Sequence, residues 1–337
     1  MLAFQVNSIP LKDVIISLAH SFQVPYFHNC DEYYLTLPEN LGSGEIRGVN
    51  FDNGLALLIY KLYFKEDVRL EFTLDEIHPL KFINSIHGPL IHEFANEGIK
   101  HSIDEFNCAI VASEGINGHI MQFSKNVLHE VISIEVDREI FCRKETCEIK
   151  KMKSKLQSVL LDVRGLKQFY NVGSCGVYFK DILRDVSHYE DFSLSRKLNL
   201  QSVAIQMFIN QIVQFDDDSL RADKRVVLRI DELKRVEEMS VFIKENIHEE
   251  LSIKKLSRMS GLNPNKLQNG FKYLFATSIN EFITNKRLEK AQILLQSNEY
   301  SVRDVVAAIG LESNSYFSKI YKERYGITPK TYKKLFS

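Results

Sequence analysis

The spacing of apolar and polar positions changes character along the chain. Up to about Ile140 it runs in short β-branched and aromatic blocks, at residues 33–37, 57–64, 68–72, 80–86, 90–94, 107–112, 119–123 and 131–136. Gly, Asn, Asp and Pro separate these blocks, and His87-Gly88-Pro89 is the clearest hairpin signal among them. Many short strands without long helices between them predict a sandwich or a barrel. Ahead of most of them, residues 11–22 read as a helix or an arm.

From about Cys147 the period becomes helical. Residues 152–163, 175–188 and 194–215 read as helices, the last carrying Leu194, Leu198, Ile205, Phe208, Ile209 and Ile212 at helical spacing. Such helices either cover the β-rich part or pair with a second copy of the chain. The polar run from Asp216 to Lys224 has no periodicity and predicts a linker, drawn at residues 219–226. A lead-in helix follows over 227–247, with Leu233, Val236, Met239 and Ile243 on one face.

The stretch from Leu251 to Ser337 repeats one design twice. Ser252 caps a helix marked by Ile253, Leu256 and Met259, which stops at Ser260-Gly261. A second helix opens at Asn263-Pro264 and buries Leu267, Phe271, Leu274 and Phe275. In the second copy, a Ser301/Asp304 capping box starts a helix with Val302, Val305, Val306 and Ile309, ended by Gly310. The helix after it, from about Ser313, buries Tyr316, Phe317, Ile320 and Tyr321. Between the copies, residues 278–297 form one helix opened by Ser278 and Glu281, apolar around much of its circumference, as packing against a lobe on each side requires.

Each second helix also carries a polar stripe that no core explains. At about 100° per residue, Asn265, Gln268, Asn269 and Lys272 share one side of the first, with Lys266 beside them. Asn314, Ser315, Ser318, Lys319 and Lys322 share one side of the other. Asn and Gln bond an adenine edge bidentately, while Lys serves guanine or phosphate, so the pattern suits the major groove of duplex DNA. A connecting helix of some twenty residues spans roughly 30 Å, close to one turn of B-DNA at about 34 Å. A lone stripe of this kind is more often an ordinary solvated face; the second copy tips the balance.

Charge sharpens the division. The whole chain has a formal net charge of −1, but residues 251–337 hold fifteen Lys or Arg against six Asp or Glu, a formal +9 that leaves −10 upstream. The end expected to touch phosphates is the basic end. With 45% hydrophobic and 26% charged residues the composition is that of an ordinary globular protein. No apolar run is long enough for a membrane span and no signal segment opens the chain, so a cytoplasmic location is expected.

Other chemistry is sparse. The cysteines, Cys30, Cys108, Cys142, Cys147 and Cys175, are odd in number and form no CxxC pair, which argues against a disulfide framework or a zinc finger. They read as buried or semi-buried thiols, with a redox sensor on Cys142 and Cys147 as the rarer alternative. There is no His-x-His pair of the kind that holds a metal in cupin enzymes, and His87, His92, His101, His119 and His129 read as scattered single residues. GxSxG, Walker A, dinucleotide-binding and HExxH patterns are missing. No cofactor is expected, and a metal-dependent cupin enzyme or a partner-binding protein that reuses the helix-turn-helix fold stands only as an alternative.

Leu256, Ser260-Gly261-Leu262, Leu267, Phe271-Lys272, Arg287-Leu288, Ala291, Leu294-Leu295 and Gly310 form a distinctive series, and Tyr316-Phe317-Ser318-Lys319, Tyr321-Lys322, Tyr325-Gly326-Ile327-Thr328-Pro329 and Tyr332 extend it. Over roughly a hundred positions the segment resembles the DNA-binding domain of the AraC/XylS family of transcription regulators, a match far more specific than a short pattern. The resemblance implies double-stranded DNA and RNA polymerase as partners, a homodimer, and a cupin-like N-terminal barrel that binds a small-molecule effector. Three departures stand out. Leu311 replaces the usual Phe, and Asn269 stands where a basic residue is common. Gly270 sits inside a recognition helix at a cost of about 1 kcal/mol relative to Ala. The expectation is a first unit that binds weakly or orders only on DNA. The fold class is therefore α+β: a mainly-β sensor domain at 1–146, a helical dimerisation region at 147–218, a linker at 219–226 and an all-α DNA-binding domain at 227–337.

Overall fold

The structure is a computed structural model of the 337-residue chain and describes residues 1–6, 11–72, 77–174, 193–220, 228, 230–297 and 299–336. It divides into two compact units, Met1–Arg225 and Val226–Ser337.

The first unit is built on two sheets. The smaller runs in the order β1 (Leu2–Val6), β6 (Val68–Phe72), β11 (His119–Phe123), β8 (Leu90–Phe94) and β9 (Lys100–Ile103). The larger runs β13 (Phe169–Ser174), β10 (Asn107–Ala112), β7 (Leu80–His87), β12 (Leu128–Val136), β5 (Leu55–Phe64), β4 (Gly42–Asn50), β3 (Glu32–Thr36) and β2 (Tyr26–Asn29). Alternation along β5 shows how they pack. Leu58, Tyr60, Leu62 and Phe64 point into a core shared with Val68, Leu70, Phe72, Met121 and Phe123 of the small sheet. Leu55 and Leu57 point the other way, into a second core with the helices. A strand buried on both faces needs a nearly continuous apolar run, which is what residues 55–64 are.

Helix α1 (Leu11–Phe22) is the helix rather than the arm, and sends Leu11, Val14, Ile15 and Leu18 into the inter-sheet core. The outer face of the large sheet is covered by α2 (Arg138–Lys151), α3 (Leu156–Leu160) and α4 (Leu194–Leu220), with Phe208 of α4 edge-on to Phe82 at 5.0 Å and to Phe141 at 5.4 Å. Polar contacts fix α4 in place. Arg196 Nε donates to both carboxylate oxygens of Glu32, at 3.1 and 3.2 Å, and Gln211 Nε2 donates to Asn84 Oδ1 at 2.9 Å.

Several expectations are corrected here. His87-Gly88-Pro89 does not close a hairpin, because β7 pairs with β10 and β12 while β8 pairs with β9 and β11; the turn carries the chain from one sheet to the other. The helix expected at 152–163 is only Leu156–Leu160, and the longer Arg138–Lys151 precedes it. β13 falls inside the stretch assigned to helices and extends the large sheet beside β10. The helix expected at 175–188 lies outside the described residues. Ser219 and Leu220, placed in the linker, are helical, and residues 221–226 lie outside the described residues. β4 escaped the strand reading because three of its nine residues are glycines, which ordinarily mark loops. Two are required by close approach: a Cβ on Gly42 would lie 2.0 Å from the Tyr63 carbonyl oxygen, and one on Gly44 1.9 Å from that of Lys61.

The second unit is all helical where described: α5 (Ile230–Glu245), α6 (Ile253–Ser260), α7 (Pro264–Phe275), α8 (Ile279–Gln296), α9 (Val302–Ala308), α10 (Asn314–Tyr325) and α11 (Pro329–Lys333). Its second lobe packs Leu288, Ala291 and Leu295 of α8 against Val305, Val306, Ile309, Phe317 and Tyr321. α8 thus presents a core face, but its Ile293 is exposed, so its apolar residues are not all buried. The lead-in helix buries Leu233, Val236, Met239 and Ile243 as expected. Met259 and Tyr316 were expected inside and are 45% and 50% exposed; Ser260 takes the inward position in place of the former.

Candidate nucleic-acid interface

Local chemistry at the helix starts builds both halves of the site. Asn263 Oδ1 accepts the Lys266 N–H at 2.8 Å and Pro264 occupies the first turn, so α7 begins where a missing N–H is harmless. Ser313 Oγ accepts the Tyr316 N–H at 3.2 Å and starts α10. Each helix follows a left-handed glycine, Gly261 at φ 66° and Gly310 at φ 71°. Ahead of these turns, Ser252 caps α6 and the Ser301/Asp304 capping box closes in both directions on α9. Ser278 caps α8 through the Glu281 N–H at 3.3 Å.

The first recognition surface is concave. Asn265, Lys266, Gln268, Asn269 and Lys272 line a groove of about 840 Å³ with Asn263, Pro264 and Ser278. Asn265 and Lys272 are exposed, while Gln268 and Asn269 are half-buried. Gln268 Oε1 is buried without a hydrogen-bond partner, so this amide keeps unused bonding capacity. Lys266 is ion-paired with Glu232 of α5, a contact that reading α7 by itself does not reveal.

The second surface is more open. Asn314, Ser315, Lys319 and Lys322 are exposed and Ser318 is half-buried, all on the side of α10 away from Phe317 and Tyr321. Tyr316 lies exposed beside them; its place between the apolar and polar arcs of the helix made it look like a core residue.

Two contacts join the lobes. Arg287 of α8 donates from Nε to the Ile247 carbonyl at 3.0 Å and from Nη2 to the Glu249 carbonyl at 2.8 Å. Gly310 is pressed against the same segment, since a Cβ there would lie 2.5 Å from the His248 carbonyl oxygen and 2.9 Å from that of Ile247. The chain just after α5 therefore grips both the central helix and the second turn.

Residues 256–335 match the family model described as a helix-turn-helix domain. The C-terminal unit is a helix-turn-helix domain of the AraC type. Among curated relatives, the DNA-binding dual transcriptional regulator Rns of Escherichia coli is 38% identical over 56 residues, 17% of this chain and 21% of its own length. The HTH-type transcriptional regulator ExsA of Pseudomonas aeruginosa is 28% identical over 103 residues, 31% of this chain and 37% of its own. Among solved structures, the DNA-binding domain of AdpA in complex with a target DNA aligns at TM-score 0.30 and 20% identity, covering 30% of this chain and 92% of that one. This chain spans well under half of the two curated regulators, and the likeness lies in the AraC-type domain.

In the first unit the strand order brings histidines together that the sequence reading left apart. His92 Nε2 and His119 Nδ1 are 3.1 Å apart in the sandwich interior, and the His101 ring stacks on Tyr170 at 4.1 Å. The signal was present in the alternation, since His92 shares the inward parity of Leu90 and Phe94. Among the described residues, no three His, Cys, Asp or Glu side chains are arranged to hold a metal ion. Of the thiols, Cys108 and Cys142 are buried, and Cys30 and Cys147 are exposed. Cys142 Sγ donates to the Leu160 carbonyl at 3.2 Å, and burial pushes its pKa up, which disfavours the reactive thiolate; Cys175 lies outside the described residues.

Proposed function

We propose that the protein is a transcription regulator of the bacterial type that reads duplex DNA through α7 and α10, each in one of two successive major grooves. The observation that carries this reading is the duplication: two capped helices, each after a tight glycine turn, each with a row of amides, hydroxyls and lysines turned to solvent. Helix starts, Lys272 and Lys322 set the register on phosphates, while Asn265, Gln268, Asn269, Asn314, Ser315 and Lys319 meet base edges. Lys266 joins them once it exchanges Glu232 for a phosphate. The +9 formal charge of residues 251–337 supplies the attraction.

The Met1–Arg225 unit serves as the sensing half, controlling when the DNA-binding domain engages its site and RNA polymerase. α4 has two apolar sides, which reconciles the two roles expected for it. Leu200, Val203, Ala204, Met207 and Phe208 cover the sheet, and Leu194, Leu198, Ile205, Ile209 and Val213 face outward, 37–72% exposed. The outward stripe, beside a groove of about 310 Å³ lined by Met152, Leu160 and Ile212, suits the α4 of a second copy. A homodimer in the cytoplasm, carrying four recognition helices to one operator, is the assembly this implies.

Genome-wide mapping of DNA bound by the full-length protein, followed by titration on the recovered sites, tests the reading. Tight binding to a shared sequence that survives moderate salt is expected. Equal affinity for every duplex, falling away together as salt rises, would refute it.

A further inference from the structure

Arg138, the first residue of α2, is 3% exposed. Its Nη2 donates to the His78 carbonyl at 3.3 Å, and Nη1 has no hydrogen-bond partner. The acids near it are committed elsewhere. Asp137 accepts the Glu139 and Ile140 N–H groups as the cap of α2, and Asp162 accepts those of Leu166 and Lys167. Among the described residues no carboxylate makes an ion pair with Arg138. A buried charge without a partner is costly enough that proteins rarely keep one.

Asp162 and Asp137 act on the guanidinium through space without pairing with it, and the rest of the neighbourhood adds donors. The His78 ring meets His119 edge-on at 5.5 Å, and His119 bonds His92. His119 Nε2 and His92 Nδ1 are both buried without partners. One ring must donate to the other, so whichever tautomers are present, one outer nitrogen carries a proton and the other a lone pair. Lys81, 1% exposed and close enough to act on both rings, is neutralised by its ion pair with Glu135. This end of the sandwich holds a buried guanidinium with no ion pair among the described residues, together with a set of unused nitrogens. Ordered water would satisfy the imidazoles but not the charge.

We infer that the end of the sandwich interior held by Arg138, His119, His92 and Lys81 binds a small molecule bearing an oxyanion, a carboxylate or a phosphate. The guanidinium supplies the counter-charge and a planar fork of donors, and the imidazole pair supplies one more N–H. The inference rests on the reading of this unit as the sensing half and gives that half a ligand class.

The test uses full-length protein in chloride buffer, titrated by calorimetry with inorganic phosphate in one arm and malonate in the other. Imidazole nitrogen resonances are followed in parallel. Heat of binding in at least one arm, shifts confined to the His92 and His119 signals, and loss of affinity of tenfold or more in Arg138→Gln with partial retention in Arg138→Lys are expected. If Arg138→Gln does not fold, His119→Gln is the second variant, with a smaller loss. No heat and no imidazole shift in either arm at millimolar anion, or unchanged affinity in the variants, would overturn the site. DNA affinity is measured separately with and without the anion. Binding that leaves DNA affinity unchanged would keep the site and remove its sensing role.

Discussion

Gly270 of α7 lies directly on Val236 of α5, so that a Cβ at position 270 would come within 2.4 Å of Val236 Cγ2. This changes the meaning of a glycine that looked like a weakness in a recognition helix. Ala has the better helix propensity by about 1 kcal/mol, but here the added methyl meets a packed side chain, an overlap that costs about 1–3 kcal/mol. Gly270→Ala should lower stability of the C-terminal unit by a net 1 kcal/mol or so, and Val236→Ala in the same chain should restore part of it. Urea midpoints of the four proteins of this cycle decide the matter. A more stable single Gly270→Ala variant would mean that the two helices do not approach so closely.

The same packing bears on how α7 behaves without DNA. It is ordered by α5 through Val236 and through the Lys266–Glu232 pair, so the expectation of a first unit that orders only on DNA loses its physical basis. Amide exchange should show comparable protection across residues 264–275 and 314–325 in the free protein. Protection confined to the second stretch would reinstate the weaker first unit.

Arg287 supplies the second stability prediction. Its guanidinium ties α8 to two carbonyls at the end of the α5 segment, a geometry a lysine cannot reproduce from one point charge. Arg287→Ala should cost about 2–3 kcal/mol, with Arg287→Lys recovering less than half. The denaturation midpoint of either variant reads this directly, and a loss within experimental error would show that water replaces the contact.

How far the fold was legible follows from what each element asks of its residues. β10 and β11 were read to the residue, because short runs with β-branched and aromatic residues, bounded by turn signals, favour strands. The caps Ser252, Asn263, Ser278 and Ser301 were equally plain, since capping is a local bond. β4 was hidden by glycines that serve a neighbouring strand, and α2 by the low apolar content of its fourteen residues, only a few of which are buried. In the site, the polar rows could be read because they are local periodicities. The Lys266–Glu232 pair, the Gly270–Val236 contact and the meeting of His92 with His119 depend on elements 27 to 34 residues apart, and no window of sequence displays them.

For the interface itself, Gln268→Ala and Lys319→Ala should each weaken binding to the cognate site by about 1–3 kcal/mol and relax preference at one base position. Lys322→Ala should weaken all duplexes alike and reduce the salt slope by about one unit. Fluorescence anisotropy on cognate and scrambled duplexes across a salt series separates the two behaviours. Three variants indistinguishable from the parent would place the groove contacts elsewhere.

The last prediction concerns acid. Burial, then the charges of His101 and Lys81, lower the His92 pKa to about 3, and burial also holds His119 well below the usual imidazole range, with burial lowering His129 as well. In the unfolded chain these rings protonate near pH 6.5. Below that pH the unfolded state therefore binds more protons than the folded state, and stability falls as pH falls. Above it all are neutral in both states and contribute no slope. Each fully unprotonated ring adds about 1.4 kcal/mol of lost stability per pH unit, so His92 and His119 together give a steep decline from pH 6.5 toward pH 4. Urea unfolding of the sandwich unit followed by far-ultraviolet circular dichroism at half-unit intervals should trace that decline, and His92→Gln, which removes one titrating ring, should make it shallower. A midpoint that stays level between pH 6.5 and pH 5 would mean that the two rings are not held neutral in the interior.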